Sequence, residues 1–397
     1  MDNLKYWVWL TVKTGMSSFK ITNLLDRFGS VEAIYEADLY KDIEGIGDKE
    51  KTELSNKSFK QADRIISKIA ELGARIVTLE DEEYPKPLRT IQSPPYVLYM
   101  KGQKFDWDNY LGIGVIGARE CTEYGIVATH KLCTELAATG VTVISGMARG
   151  IDSVAAVAAL KAGGKTIAVI GSGLDICYPP ENDELMKAIE ENGLVITEYP
   201  PSSQPLRTHF PERNRIISGL SRGILVTEAA KKSGTFITVG HAIENGRDIF
   251  AIPGGLFHEK SEGTNLLIKQ GAFLTTSVTD IFEQYPDEAS RLKRATGKRV
   301  KIKLPKQSEK PPKQKKKKEE SQIIENLSDI SIDDSRFLGL NNSERSTVEC
   351  LLKGSQHVDE IARETGLGIQ ELNAVLPMLE MMGHIIKLPG NIYAIKA

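Results

Sequence analysis

The sequence predicts an α/β protein built on a mostly parallel sheet. Three apolar runs, each followed by small residues and then by a helical pattern, are the main observation: IGVIGAR from residue 113, VTVISGMARGID from 141 and TIAVIGSGL from 166. Near-continuous Val/Ile runs without polar alternation are typical of strands buried on both faces. The stretch from Phe210 to Asn265 adds two more such strands. We therefore expect a Rossmann-like sheet flanked by helices.

Length and composition indicate more than one domain. The chain has 397 residues, of which 41% are hydrophobic, enough for a substantial core. Patterning divides it into a small helical domain (1–75), the Rossmann-like domain (76–287), a charged disordered linker (288–340) and a C-terminal domain (341–397).

The linker is predicted from its charge blocks. Fourteen Lys/Arg and the single Glu309 lie between Arg291 and Lys318, whereas Glu319 to Asp334 holds six acids and no base. Such blocks cannot bury enough apolar surface to fold. The lysine run at 315–318 has two interpretations, a solvated spacer or a sequence-blind contact to nucleic-acid phosphates.

Several classes are disfavoured. No stretch approaches the roughly 20 apolar residues of a membrane span, and the N-terminus lacks a signal-peptide pattern, so we expect a cytoplasmic protein without membrane contact. Four cysteines without CxxC pairing or His at ligand spacing predict reduced thiols rather than a metal site or disulfides.

The first 75 residues read as short helices. The segment Ile43–Gly47 (IEGIG) resembles the turn of a helix-hairpin-helix, which can present N–H groups to a DNA phosphate. Acidic residues surround it and would repel a phosphate: Asp42, Glu44, Asp48 and Glu50. A plain interhelical turn is favoured, and DNA contact is the alternative.

The C-terminal domain is predicted to be a winged helix. Three helical patterns, Ser343–Gly354, His357–Gly366 and Ile369–Met382, precede a hairpin pattern from His384. The third helix, which would read DNA, has no Lys or Arg but carries Glu371. Because groove readers use cationic and amide side chains, a partner-docking role is favoured over sequence-specific DNA binding.

Small and hydroxyl residues after the strands predict an anion site. Ligands of parallel sheets lie at the strand carboxyl ends, where glycine turns and helix N-termini favour phosphate. The candidates are Gly117, Ala118 and Arg119; Gly146, Arg149 and Gly150; Gly171, Ser172 and Gly173; and Ser233, Gly234 and Thr235. The GIGVIG run at 112–117 is not a dinucleotide fingerprint, because its first two glycines fall inside the strand. No cofactor or metal is expected.

The segment FPERNR adds Phe210, Arg213, Asn214 and Arg215 to the candidates. Arg213 and Arg215 lie about 200° apart on a helix, so one is expected to face the pocket and the other to pair with a framework carboxylate. Phe210 has two roles open to it, stacking on an unpaired base for roughly 1–3 kcal/mol or stapling the helix N-terminus.

The ordered motifs resemble the DNA-processing protein A family over about residues 82–285. They are GAR at 117, SGMARGID at 145, GSGLDICYPPEN at 171, EYPP at 198, FPERNRIISGLS at 210, SGTFIT at 233, AIPGG at 251 and GTNLLIKQGA at 263. The resemblance implies a dimeric, non-enzymatic protein that binds single-stranded DNA and loads the RecA recombinase during natural transformation. N-terminal sterile-alpha-motif-like or helix-hairpin-helix domains and C-terminal winged helices are common in that family.

The resemblance also assigns roles to single residues. Arg119 matches an arginine that holds backbone phosphate, and Ala118 replaces the family's Ser. Arg207 and Phe210 match a basic residue and a base-stacking aromatic. The alternative is a nucleotide or nucleoside-phosphate hydrolase, which needs a general acid or base. Glu228 and Asp152 are the candidates for that role, although Asp152 is better explained as a helix cap or as a partner that orients Arg149.

Overall fold

The computed structural model describes residues 3–305, 337, 339–388 and 391–395. The chain divides into two compact units, Met1–Gln307 and Ser308–Ala397. The lysine run at 315–318 and the acidic block after it lie outside the described residues. Among the helices that are described, none is long and apolar enough to cross a bilayer.

Five short helices open the first unit: α1 Asn3–Thr11, α2 Ser18–Phe28, α3 Val31–Glu36, α4 Asp48–Ser55 and α5 Lys60–Glu71. Ser17 and Ser30 cap α2 and α3 with their hydroxyls, which satisfies backbone N–H groups at the helix starts. The Trp7 ring stacks on Tyr96 at 5.5 Å, and its indole N–H donates to Glu80 at 3.0 Å. The helices therefore share a core with the neighbouring sheet.

The glycine turn before α4 is closed by its own helix. The Gly47 N–H donates to Glu50 Oε2 at 3.0 Å, and the other carboxylate oxygen of Glu50 lies 2.6 Å from Lys20 Nζ. This arrangement favours the plain interhelical turn over a phosphate contact, because the carboxylate occupies the place of the anion.

The sheet has nine strands: β1 Arg75–Thr78, β2 Val97–Gly102, β3 Gly112–Ile116, β4 Thr142–Ser145, β5 Thr166–Val169, β6 Leu194–Thr197, β7 Gly223–Val226, β8 Asp248–Ala251 and β9 Phe273–Leu274. Their order is β1-β2-β6-β5-β4-β3-β7-β8-β9. All neighbouring pairs from β6 to β9 are parallel, and β2 runs opposite to the other strands, antiparallel to both of its neighbours, β1 and β6. The predicted mostly parallel sheet is confirmed, with the first two glycines of GIGVIG inside β3.

Helices cover both faces of the sheet. They are α6 Glu123–Thr139, α7 Ile151–Lys161, α8 Asp183–Asn192, α9 His209–Leu220, α10 Thr235–Glu244, α11 Glu259–Lys269, α12 Val278–Phe282 and α13 Pro286–Arg291. Helices α6, α7, α8 and α12 pack on one face, and α9, α10 and α11 on the other. Burial on both faces explains why the strands are apolar throughout.

The segment after α13 differs from the expectation of disorder from residue 288. We call residues 291–303 the basic strap. The Ala295 N–H donates to Ala138 O and the Val300 N–H to Leu160 O, both at 3.1 Å. Ile302 is buried, and Leu292 and Leu304 pack against the core. Apolar residues interleaved with the charges thus anchor the first part of the predicted linker.

The second unit contains α14 Asn342–Leu351, α15 Val358–Thr365 and α16 Ile369–Met381, with strands β10 Gln356–His357, β11 Ile385–Leu388 and β12 Ile392–Ile395 in the antiparallel order β10-β12-β11. Gly366 ends α15 in the left-handed region at φ 72°, where glycine carries no steric penalty. The three predicted helices and the hairpin are therefore present.

Candidate nucleic-acid interface

The turns that follow β3, β4 and β5 meet at the carboxyl edge of the sheet. The Ile151 N–H at the start of α7 donates to Ala118 O at 3.2 Å, which joins the β3 turn to the β4 turn. Gly150 has φ 74°, and a Cβ there would lie 2.3 Å from Ala118 O, so this close approach requires glycine. The N-terminus of α9 lies over the third turn, with a Phe210 ring atom 3.3 Å from the Cβ that Gly171 lacks.

We call the surface side chains along this edge of the sheet the rim. Two arginines of the rim, Arg119 and Arg207, remain open to solvent. Arg119 is exposed, and its guanidinium carbon lies 5.6 Å from the centroid of the Phe210 ring, a cation–π arrangement. Arg207 is exposed two residues before α9. Within the described part of the chain, neither guanidinium has a carboxylate at ion-pair distance. Both charges are therefore available to an anion.

Aromatic rings continue the surface beside Arg119. The Phe210 and Tyr178 centroids lie 5.5 Å apart at an interplanar angle of 41°, and Tyr178 is 38% exposed. His209 stacks on Tyr199 at 3.9 Å. Phe210 thus forms part of an aromatic rim in addition to starting the helix. The sequence analysis did not select Tyr178 or Tyr199, although both stand in motifs that it quoted, DICYPPEN and EYPP.

Arg149 lies on the same rim but has a partner. Its Nε and Nη2 donate to the two carboxylate oxygens of Glu181 at 2.5 and 3.0 Å, and the side chain is 39% exposed. The hydrogen bonds that it donates to Glu181 raise the pKa of Arg149. Arg149 therefore reaches the surface with much of its charge compensated, which its position after β4 did not reveal.

Arg213 lies beneath the rim, against the expectation that one of the RNR pair faces an open pocket. It is 4% exposed and donates to Gly146 O at 2.7 Å and to Val169 O, which ties the ends of β4 and β5 together. Burial lowers the pKa of Arg213 to about 10, while nearby Asp152 acts in the opposite direction. This arginine is a framework residue.

Asp152 completes that framework. Its carboxylate accepts the Gly146 N–H at 3.1 Å and the Ala148 N–H at 3.3 Å, which closes the turn after β4. Burial raises the pKa of Asp152, and the positive charge of Arg213 opposes that shift. The structural role predicted for Asp152 agrees with these contacts, but the arginine it faces is Arg213 rather than Arg149.

Arg215 pairs with a framework carboxylate, as expected for one member of the RNR pair. Its Nη2 donates to both oxygens of Glu198 at 2.7 Å, and the side chain is 14% exposed. Asn214, between the two arginines, is partly exposed.

The hydroxyl of Ser172 is also used inside the protein. It donates to Ile176 O at 2.8 Å, and the residue is 1% exposed. Its two neighbours, Gly171 and Gly173, are buried as well. The GSG turn therefore forms the floor of the site and offers no hydroxyl to a ligand.

The Ser-Gly-Thr turn opens α10 as the sequence predicted. The hydroxyls of Ser233 and Thr235 lie 2.9 Å apart, and the Thr235 N–H donates to Ser233 Oγ at 3.2 Å. A cavity of about 600 Å³ lies near the ends of β7 and β8, lined by residues that include Gly254 and Glu228.

The candidate acids of the hydrolase alternative are both committed to the framework. Glu228 is 2% exposed and accepts the backbone N–H of Thr122 at 2.9 Å as well as its hydroxyl. Asp152 closes the turn described above. Within the described residues, no cluster of three or more His, Cys, Asp or Glu side chains is arranged to hold a metal ion.

Glycine turns and open arginines at the carboxyl edge of a parallel sheet are typical of proteins that bind phosphate groups. Comparison with known proteins specifies the family. The family described as DNA recombination-mediator protein A matches residues 75–286, and the DprA winged helix domain matches residues 340–391. The chain therefore belongs to the DNA recombination-mediator protein A family, which confirms the resemblance inferred from its motifs.

Individual relatives agree with this assignment. The chain is 39% identical to the DNA processing protein DprA of Bacillus subtilis over 56% of this chain and 75% of that protein. It is 32% identical to the protein Smf of Synechocystis over 98% of both chains. The X-ray structure of DNA processing protein A from Streptococcus pneumoniae aligns with a TM-score of 0.62 at 36% identity, covering 72% of this chain and 99% of that one.

Proposed function

We propose that this protein binds single-stranded DNA along the carboxyl edge of its sheet, protects it, and delivers it to the RecA recombinase during natural transformation and recombination. The proposal combines membership of a DNA recombination-mediator family with the chemistry of the rim. The observation that carries it is the exposed Arg119 guanidinium lying 5.6 Å from the Phe210 ring. It brings a free cation and an aromatic face together at one strand end.

These two groups match the two parts of a nucleotide. Arginine binds phosphate oxygens through its planar fork of donors, and an aromatic ring stacks on any base. Arg207 and the N-terminus of α9 add positive potential along the path. Arg149 contributes at the surface to the extent that Glu181 leaves its charge uncompensated. Buried Arg213 supports the turns from below, and its positive charge attracts the DNA phosphates without direct contact.

Single strands are favoured over duplex because stacking requires an unpaired base. In a duplex the base faces are covered by their neighbours, so Phe210 would find no partner. Stacking and phosphate contacts tolerate every sequence, so the expected preference among bases is slight.

The test compares oligo(dT) with a matching duplex by fluorescence anisotropy. Arg119→Ala combined with Arg207→Ala removes both open cations, and we expect an affinity loss of about tenfold or more for oligo(dT), since a hydrogen bond to a charged group contributes about 1.5–3 kcal/mol. The matched control is Arg27→Ala with Arg64→Ala, two exposed arginines of the N-terminal helices. Equal affinities for the wild type and the rim variant would overturn the proposal.

A homodimer and contact with RecA belong to the same proposal, and both rest on the family. The terminal strand β9 is a candidate dimer surface, because it ends the sheet and Phe273 and Leu274 are 37% and 51% exposed. Sedimentation of wild type and Leu274→Asp tests the dimer. RecA loading is tested by the RecA-dependent ATPase rate on single-stranded DNA coated with a single-strand binding protein, with and without this protein. We place the protein in the cytoplasm, where RecA acts.

A further inference from the structure

We propose that the basic strap is a second surface for single-stranded nucleic acid, at the edge of the sheet opposite Arg119 and Phe210. The proposal rests on the single-strand binding proposed above. The first observation is where the strap lies. A Cβ on Gly140 would be 2.2 Å from Lys293 O, and one on Gly163 would be 2.5 Å from Gly297 O. The strap thus lies directly on the ends of α6 and α7, beside the amino ends of β4 and β5.

Its second half presents cations in a regular row. Arg299, Lys301 and Lys303 are exposed, whereas the alternate residues 300, 302 and 304 pack against the core. An extended chain advances about 3.3 Å per residue, so alternate side chains are about 6.6 Å apart. This spacing is similar to the distance between successive phosphates of an extended polynucleotide strand.

The strap is rich in positive charge. It carries seven cations, all exposed: Arg291, Lys293, Arg294, Lys298, Arg299, Lys301 and Lys303. Among the described residues none of them forms an ion pair, whereas Lys101 and Lys187 elsewhere in this unit pair with Glu190 and Asp183.

The side chains that line a cavity of about 720 Å³ beside the strap also carry a net positive charge. Its charged lining comprises five cations, Lys165 and four from the strap, and the two acids Asp106 and Glu191. An uncompensated positive surface of this kind attracts a polyanion.

Compensation of helix dipoles does not account for the whole row. The negative ends of α6 and α7 favour nearby cations, but that effect falls off within the last turn of a helix. It explains the charges near Gly140 and Gly163, where residues 293–299 lie, because the Arg299 side chain is close to Gly163. Lys301 and Lys303 follow beyond that point along the chain.

Helix α7 connects the two edges. It begins at Ile151, beside Ala118 of the rim, and ends at Lys161, two residues before Gly163 and the strap. Its 11 residues span about 16 Å, a distance that a few nucleotides cover. The strap offers no exposed aromatic side chain among its described residues. It therefore holds phosphates without reading bases, and a strand leaving the rim reaches it.

The test measures the salt dependence of oligo(dT) binding to the full-length protein. Two probes are used, roughly 6 nucleotides for the rim alone and roughly 30 for both edges, because single-strand sites span roughly 4–16 nucleotides. Arg299→Gln, Lys301→Gln and Lys303→Gln are combined. The control of equal charge combines Lys41→Gln, Lys49→Gln and Lys60→Gln, three exposed lysines of the N-terminal helical region. For the long probe, loss of three phosphate contacts should reduce the slope of log K against log salt by about 2.

Binding of the short probe should stay unchanged in the strap variant. The rim variant, Arg119→Ala with Arg207→Ala, should lose binding of the short probe. This result tests the rim separately from the strap. An unchanged slope for the long probe, or the same reduction in the control triple, overturns the strap proposal. The proposal is also overturned if the strap variant keeps the salt dependence of oligo(dT) binding but no longer binds poly-glutamate. The partner of the strap would then be an acidic protein. Melting temperatures identify any unfolded variant, in which case Lys293→Gln, Arg294→Gln and Lys298→Gln replace it.

Discussion

The rim and the floor of the carboxyl edge use the same side chain for opposite purposes. On the rim, Arg119 and Arg207 are exposed and have no carboxylate partner among the residues that the structure describes. The floor consists of the GSG turn and the arginines beneath the rim. There, Arg213 is buried against backbone carbonyls and Arg215 is paired with Glu198. The difference teaches that a cluster of arginines in a binding motif is divided between ligand contact and scaffold, and that burial and partners decide which arginine does which.

The largest expected effect is on the stability of the floor. Arg213→Ala leaves two buried carbonyls without their donor and removes the positive charge that stabilises the buried Asp152 carboxylate, so the free energy of unfolding should fall by about 3–5 kcal/mol. Urea denaturation measures it. Arg222→Ala is the control, because its pair with Glu288 is exposed and should contribute at most about 1 kcal/mol. Similar losses for both variants would contradict the assignment of Arg213 to the buried framework.

The aromatic part of the rim should affect binding and leave stability nearly unchanged. Phe210→Ala should weaken oligo(dT) binding by about 1–3 kcal/mol through the loss of base stacking. Phe210→Tyr retains the ring and should restore most of that affinity. If Phe210 only staples α9, the alanine variant will lower the melting temperature and leave the affinity of the folded protein as it was.

The serine of the GSG turn should behave as a floor residue. Ser172→Ala removes the hydrogen bond to Ile176 O and should cost about 1 kcal/mol of unfolding free energy. Its oligo(dT) affinity should equal that of the wild type. A loss of affinity at unchanged stability would show that the hydroxyl contacts DNA after all.

The smallest effect has the opposite sign. Glu181→Gln removes the carboxylate that compensates Arg149, and the affinity for oligo(dT) should rise by up to about 1 kcal/mol, the upper range for a surface ion pair. The salt dependence of binding should steepen at the same time. Unchanged affinity and slope would mean that the charge of Arg149 is not used in binding.

Local sequence predicted what depends on neighbouring residues. Strands β3, β4 and β5, their glycine turns and the helix after the Ser-Gly-Thr turn follow from short apolar runs and from capping residues. The open position of Arg119 followed from its place at the end of a strand. The roles predicted for single residues were wrong where the bonding partner lies far away in the sequence. Glu181 lies 32 residues from Arg149, and Gly146 lies 67 residues from Arg213.

The basic strap shows most clearly the difference between what local sequence predicts and what contacts between distant residues decide. Its positive charge is plain in the sequence, and the charge blocks together with prolines and few large apolar residues predicted disorder. The structure places Val300 and Ile302 against helices that the chain formed more than a hundred residues earlier.

The sequence by itself determined the type and order of the elements, because backbone preferences and hydrophobic periodicity act between near neighbours. Only the tertiary structure decided which arginines stay free and which residues after α13 are anchored. Those outcomes depend on desolvation and pairing between groups that meet only when the sheet has assembled.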